Sequence, residues 1–255
     1  MKQRLYLIMM VAMTIMPAVS MAQQYIGTSG LLHIPSAEMN HEGDARIGAH
    51  WIDQHMLPDT GFLAASANGT DKYSSFGYYA SITPFEWIEI SLTCTERKDF
   101  VDGPFVRKDR YASIKVRPLT EGKYWPAVAL GFNDVGTTAF NPDQTDVQLY
   151  FTNIYAAATK HFDLGGNELG VTMAYRHFFR GYNDKWSGLV GGVTFRPAFF
   201  PQGRAIVEYT GNELLVGADA LLWQHLLLQV GMKDFKYFNF GLCFQINLLG
   251  KKYRY

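Results

Sequence analysis

The chain is patterned in twos. In its clearest stretch Phe238, Phe240, Leu242, Phe244, Ile246 and Leu248 alternate with Asn239, Gly241, Cys243, Gln245 and Asn247. One face is large and apolar, the other small or polar. Successive strand side chains point to opposite faces, so this period of two predicts a strand lying between two unlike environments. Earlier segments repeat it. Ala45, Ile47, Ala49 and Trp51 oppose Asp44, Arg46, Gly48 and His50, and Phe76, Tyr78, Ala80 and Ile82 oppose Ser75, Gly77, Tyr79 and Ser81. Ile88, Ile90, Leu92 and Cys94 oppose Glu89, Ser91, Thr93 and Thr95; Ala112, Ile114 and Val116 oppose Ser113, Lys115 and Arg117. Further strands are expected around 127–133, 169–176, 188–196, 204–209, 214–222 and 226–232. One over 148–160 has a facing that the pattern leaves open. The total is about twelve, each roughly 8–12 residues, the length a tilted strand needs to cross a bilayer.

Alternation alone also suits a soluble sandwich, so the links and the aromatics decide. After strands one, three, five and seven come long polar links (54–72, 97–109, 134–147 and 178–186), whereas most links after even strands are tight, several opened by Pro84, Pro118 or Pro197. The late outer links near Gly211 and Asp234 are short. Phe85, Trp87, Trp125, Phe195, Phe199 and Trp223 fall at one set of strand ends, and Trp51, Phe76, Trp186, Tyr209 and Phe238 at the other. Long outer loops, short periplasmic turns and two aromatic belts predict an all-β, antiparallel, up-and-down transmembrane β-barrel over 43–255, with the first strand pairing with the last. Closure removes edges that lipid could not satisfy.

The beginning of the chain points to the same compartment. Lys2 and Arg4 precede an apolar run from Leu5 to Ile15, and Ser20-Met21-Ala22 is a small-x-small cleavage site. Residues 1–22 therefore read as a cleaved secretory signal peptide, with no cysteine after the run to accept lipid. Removing Lys2 and Arg4 from 23 basic groups leaves 21 against 23 acidic, a net charge of −2. That balance argues against a nucleic-acid partner. The Gly27-Thr28-Ser29-Gly30 and Ile34-Pro35-Ser36 content of residues 23–42 suits an irregular segment that can cap the barrel or fold into its lumen as a plug. The two cysteines, Cys94 and Cys243, are placed by alternation on opposite faces of non-neighbouring strands, so no disulfide is expected.

Gly30-Leu31-Leu32, then Pro35-Ser36-Ala37-Glu38-Met39 and Gly43, resembles the opening motif of the YjbH-like outer-membrane proteins linked to exopolysaccharide biosynthesis. Pro84-Phe85-Glu86-Trp87-Ile88-Glu89 is similar to that family's first periplasmic turn. Ala127-Val128-Ala129-Leu130-Gly131 with Asp134-Val135-Gly136-Thr137-Thr138-Ala139-Phe140 is similar to a central stretch, and Glu208-Tyr209-Thr210-Gly211-Asn212 to a later one. The resemblance implies a barrel in the bacterial outer membrane that acts in producing or exporting a surface polysaccharide, as conduit or assembly partner. Outer-membrane lipid, polysaccharide chains and other export components are then its expected partners.

The residues themselves point to no cofactor. The seven histidines are scattered without metal-ligand spacing, and His50 is the one clearly on a predicted lumen face. An outer-membrane hydrolase of lipid or glycan would need a serine and histidine gathered on neighbouring strands. Nothing pairs Ser75, Ser81, Ser91 or Ser113 with His50, so catalysis is not expected; such an enzyme, or a purely structural barrel, is the alternative reading. Asp134, Asp143 and Asp146 lack a calcium-loop repeat, and Asn68-Gly69-Thr70 is an incidental glycosylation match. The candidates for binding are the lumen-facing Arg46, His50, Glu89, Lys115, Arg117, Arg196, Arg204, Glu208 and Asp219. Two accounts fit them: a salt-bridge network that fills a narrow barrel, or a basic vestibule that attracts anionic sugar. In the first, Glu89 meets Lys115 across neighbouring strands, and Arg46 and Arg117 share the carboxylate.

Overall fold

The computed structural model describes residues 21–57, 73–98, 105–137 and 149–250. Residues 1–20 of the expected leader, Asn68-Gly69-Thr70, Asp143 and Asp146 lie outside the described residues. Twelve strands follow one another: β1 (Asp44–Ile52), β2 (Ser75–Phe85), β3 (Ile88–Lys98), β4 (Phe105–Leu119), β5 (Ala127–Thr137), β6 (Asn153–Leu164), β7 (Asn167–Phe178), β8 (Gly188–Arg196), β9 (Gly203–Tyr209), β10 (Leu214–Leu222), β11 (Leu226–Lys233) and β12 (Tyr237–Asn247). Each pairs antiparallel with the next, and β1 pairs with β12 from Asp44 opposite Asn247 to Ile52 opposite Asn239. The sheet is closed, so no strand presents an unpaired edge.

The two faces are as unlike as the sequence pattern implies. Ile47, Leu92, Met173, Leu189 and Leu242 point outward and are more than half exposed, while Glu89, Lys115, Arg176 and Asp219 point inward and are buried. Short turns such as 86–87, 165–166 and 223–225 close one end, called here the turn end. The two longest links, those after β1 and β5, lie at the opposite, loop end, together with the short links 210–213 and 234–236. Cys243 faces inward on β12 and Cys94 lies on β3, with β1 and β2 between them around the barrel, and they share no disulfide.

Several boundaries move. β6 begins at Asn153 rather than 148, because residues 149–152 are drawn over the lumen, where Phe151 N–H and the Thr152 hydroxyl bond the Asp134 carboxylate. β3 and β4 continue into the expected 97–109 link, through Arg97–Lys98 and from Phe105, and β5 runs on to Thr137. Trp186 does not join the outer belt. The 3-10 turn Gly181–Trp186 folds it inward, fully buried, with its indole N–H on Glu213 at 3.3 Å.

Aromatic rings on the inner wall are seated on glycines of the neighbouring strand. Tyr155 on β6 lies directly over Gly131 on β5, where an added Cβ would overlap its ring, and Tyr79 on β2 covers Gly48 on β1 in the same way. Overpacking such a seat strains both partners. Gly131→Ala should cost about 1–3 kcal/mol, with part of the loss recovered in Gly131→Ala/Tyr155→Ser. Urea unfolding of the folded barrel in detergent checks both, and equal stability of Gly131→Ala and wild type would refute the seat.

Candidate functional site

The lumen is filled by the chain's own beginning. Every residue from 22 to 40 is buried. The segment starts near the turn end, where Met21 C=O accepts from Arg46 at 3.0 Å, and reaches the loop end, where the Tyr25 hydroxyl donates to Met56 C=O at 2.9 Å. It then returns to Gly43, whose N–H bonds Thr83 C=O as β1 begins. Within it only two isolated bridges, Gln23–Ser29 and Gly30–Pro35, give any regular pairing. Its buried backbone groups must therefore find partners on the wall.

Wall side chains supply them. The Glu208 carboxylate on β9 accepts three successive backbone N–H groups, from Leu32 (3.1 Å), His33 (2.7 Å) and Ile34 (3.5 Å). Glu89 on β3 accepts both the Ser29 N–H (3.0 Å) and its hydroxyl (2.5 Å). Lys115 on β4 donates to Ser29 C=O at 2.9 Å, to its hydroxyl at 3.1 Å and to Glu38 C=O. Arg176 on β7 donates to His33 C=O (3.1 Å), Trp186 C=O (3.0 Å) and Thr210 C=O (3.2 Å). Gln229 and Gln23 exchange two bonds, and Thr159 accepts from Ala37 N–H at 2.9 Å. Shape follows the same division. Inner-wall Gly192, Gly217 and Gly231 leave a trough that Leu31 and Leu32 fill, their methyl carbons 2.6–3.1 Å from where Cβ atoms would stand.

The two ends are finished differently. At the loop end Tyr25 and Ile26 pack with Met56, Leu57, Tyr111, Phe151, Phe178 and Trp186 into an apolar lid. His33 sits beneath it against Trp186; burial, and then the adjacent Arg176, hold its imidazole well below the usual histidine range and keep it neutral. Toward the turn end the contacts are ionic. Glu38 meets Arg204 at 2.6 Å, Arg204 meets its cross-strand partner Asp219 at 2.8 Å, and His161 bridges Glu38 (3.3 Å) to Glu121 (2.6 Å). Burial works to raise the Glu38 carboxyl, but Arg204 and His161 outweigh it and hold it well below the ordinary carboxylate range.

Of the candidates chosen from sequence, Arg46, Glu89, Lys115, Arg204, Glu208 and Asp219 gather around this segment. The expected direct Glu89–Lys115 pair is corrected. The two are cross-strand partners, yet Ser29 lies between them, donating to Glu89 and accepting from Lys115. Arg46 and Arg117 do not share the Glu89 carboxylate either, because Arg46 turns to Met21 and Arg117 reaches Glu86 C=O at the exposed rim. Arg196 stays at the turn-end mouth, 3.3 Å from Glu168. His50 stacks on Tyr79 apart from the segment, with no Ser–His bond among the described residues. The sequence reading omitted Arg176, whose place on a small, polar strand face was visible. It also omitted Ser29, His33, Glu38 and His161, for which an irregular segment and an ambiguous strand gave no facing.

These features define a closed twelve-stranded barrel whose lumen is occupied by the segment leading into its first strand. Residues 22–143 match the family model described as "Exopolysaccharide biosynthesis protein YbjH". A curated relative, "Uncharacterized lipoprotein YjbH" of Escherichia coli (strain K12), is 28% identical over 228 residues, covering 75% of this chain. The chain spans 28% of that relative's length. Both matches support the YjbH-like resemblance. Among solved structures the outer membrane phospholipase A from Escherichia coli aligns at 8% identity with a TM-score of 0.36, over 81% of this chain and 96% of that one. A likeness this low carries no argument about activity.

Arg204→Ala removes the guanidinium from two buried carboxylates, Glu38 and Asp219, and should cost about 3–5 kcal/mol. Arg117→Ala, at the rim, should cost less than about 1 kcal/mol. Urea midpoints separate the two, and equal costs would contradict the network. The depressed Glu38 carboxyl contributes stability that is complete above its unfolded value, about 4.3, and is lost as pH falls toward its folded value. Glu38→Gln should therefore flatten the loss of stability below about pH 4 relative to wild type, as read by the same midpoints.

Proposed function

We propose that the chain is an outer-membrane β-barrel acting in the production or export of a surface polysaccharide, held shut at rest by residues 23–42 as a lumenal plug, with residues 1–22 as the signal peptide that directs it there. The observation that carries the location is the inversion of polarity. Large apolar side chains cover the outside of a closed barrel, charges turn inward, and Phe85, Trp87, Trp125 and Trp223 stand exposed at the turn end. A protein dissolved in water has no reason to expose such a belt, whereas lipid favours it. The polysaccharide role is supported by the family description matched over 22–143. With the lumen filled, an assembly role proceeds with the plug in place, and a conduit role requires its displacement.

The test is made in the bacterial host. Deleting the gene should reduce cell-bound or secreted polysaccharide severalfold, and the protein should sediment with the outer membrane on a density gradient. Unchanged polysaccharide would remove the role, and recovery in the soluble or inner-membrane fraction would remove the location.

A further inference from the structure

We propose that residues 22–40 occupy a track on the inner wall that binds an extended, uncharged saccharide chain once the segment withdraws; this rests on reading the barrel as a polysaccharide component. The wall recognises the segment mainly through its backbone rather than its side chains. Glu208 takes three consecutive N–H donors, Glu89 takes an N–H and a hydroxyl, and Arg176 and Lys115 donate to carbonyl oxygens. Sugar hydroxyls both donate and accept, so they can satisfy every one of these groups. The trough over Gly192, Gly217 and Gly231, now filled by Leu31 and Leu32, provides width.

The carboxylates Glu208 and Glu89 select against acidic groups at their own positions along the track. A carboxylate accepts and cannot donate, so a uronate or phosphate placed where the Leu32–Ile34 N–H groups now lie would set like charges together in a buried site. This reverses the attraction expected of a basic vestibule. Withdrawal is open to the segment because it enters and leaves by the turn end, and no part of it is threaded through the barrel.

A lock reports the segment's position. A Cβ on Gly27 would lie 3.2 Å from Ser113 Oγ, so Gly27→Cys and Ser113→Cys fall within disulfide reach once the Asn133 amide turns aside. With Cys94→Ala and Cys243→Ala in the same full-length chain, oxidation in nanodiscs measures how often the track is occupied by its own segment. Saturating maltoheptaose should slow disulfide formation at least tenfold, and oligogalacturonate should not. An unchanged rate with maltoheptaose, or slowing by the anionic oligomer alone, overturns the proposal. The wild-type barrel gives a second readout that needs no cysteine. Trp186 emission, isolated by difference from Trp186→Phe, should shift saturably with maltoheptaose as His33 leaves it, and no shift overturns the proposal. Should gene deletion abolish surface polysaccharide while neither signal responds, the sugar track is refuted and the outer-membrane reading stands.

Discussion

A narrow closed barrel has nowhere to send its inward charges except to one another or to whatever fills it. In this chain both solutions operate. Arg204 and Asp219 face each other across β9 and β10, but Glu89, Lys115, Arg176 and Glu208 all take partners from residues 29–38. Leaving any of them without a partner would cost several times what the bond itself contributes. The wall and the segment are thus one hydrogen-bonded unit, although they are separate in sequence. This also explains why an irregular stretch without strand or helix is tolerated deep inside the molecule. Its own carbonyls and N–H groups are met by side chains aimed at them from the surrounding strands.

The barrel was legible because its cause is periodic. Each strand's apolar face meets one environment and its polar face another, and β12 alone displays the rule from Phe238 to Asn247. The closing pair, β1 with β12, followed from the need to leave no edge. What periodicity cannot carry is the address of an irregular segment. Glu208 and Glu89 were placed on the inner face correctly, yet nothing in their spacing says that one clasps Leu32 to Ile34 and the other Ser29. The expected Glu89–Lys115 ion pair failed for the same reason: register put the two residues opposite each other, and a third residue from a distant part of the chain came between them. Trp186 was misplaced because a strand-end aromatic is equally at home in a belt or beneath a lid, and only the turn Gly181–Trp186 decides which.

The stretches that carry the family resemblance are also brought together by the fold. Gly30-Leu31-Leu32 lies in the glycine trough, Glu89 from the turn motif holds the residue just before it, and Glu208 from the later motif holds the residues just after. Asp134 from the central stretch ties residues 151 and 152 across the loop end. Segments scattered over most of the chain therefore meet at one object, the filled lumen, and that gives the resemblance a physical content beyond a shared outline.

The attachment of the plug to β1 has a consequence for how the molecule is made. β1 is the strand that must pair with β12, the twelfth strand in chain order, before the cylinder is complete. Because Gly43 joins the lumenal segment directly to that strand, the final zipping of the seam and the filling of the interior involve the same stretch of chain. A barrel that closed around water would leave Glu89, Lys115 and Glu208 without the backbone groups they hold in the finished structure. Seam and filling therefore share one covalent joint at Gly43, and neither is complete in the finished molecule without the other.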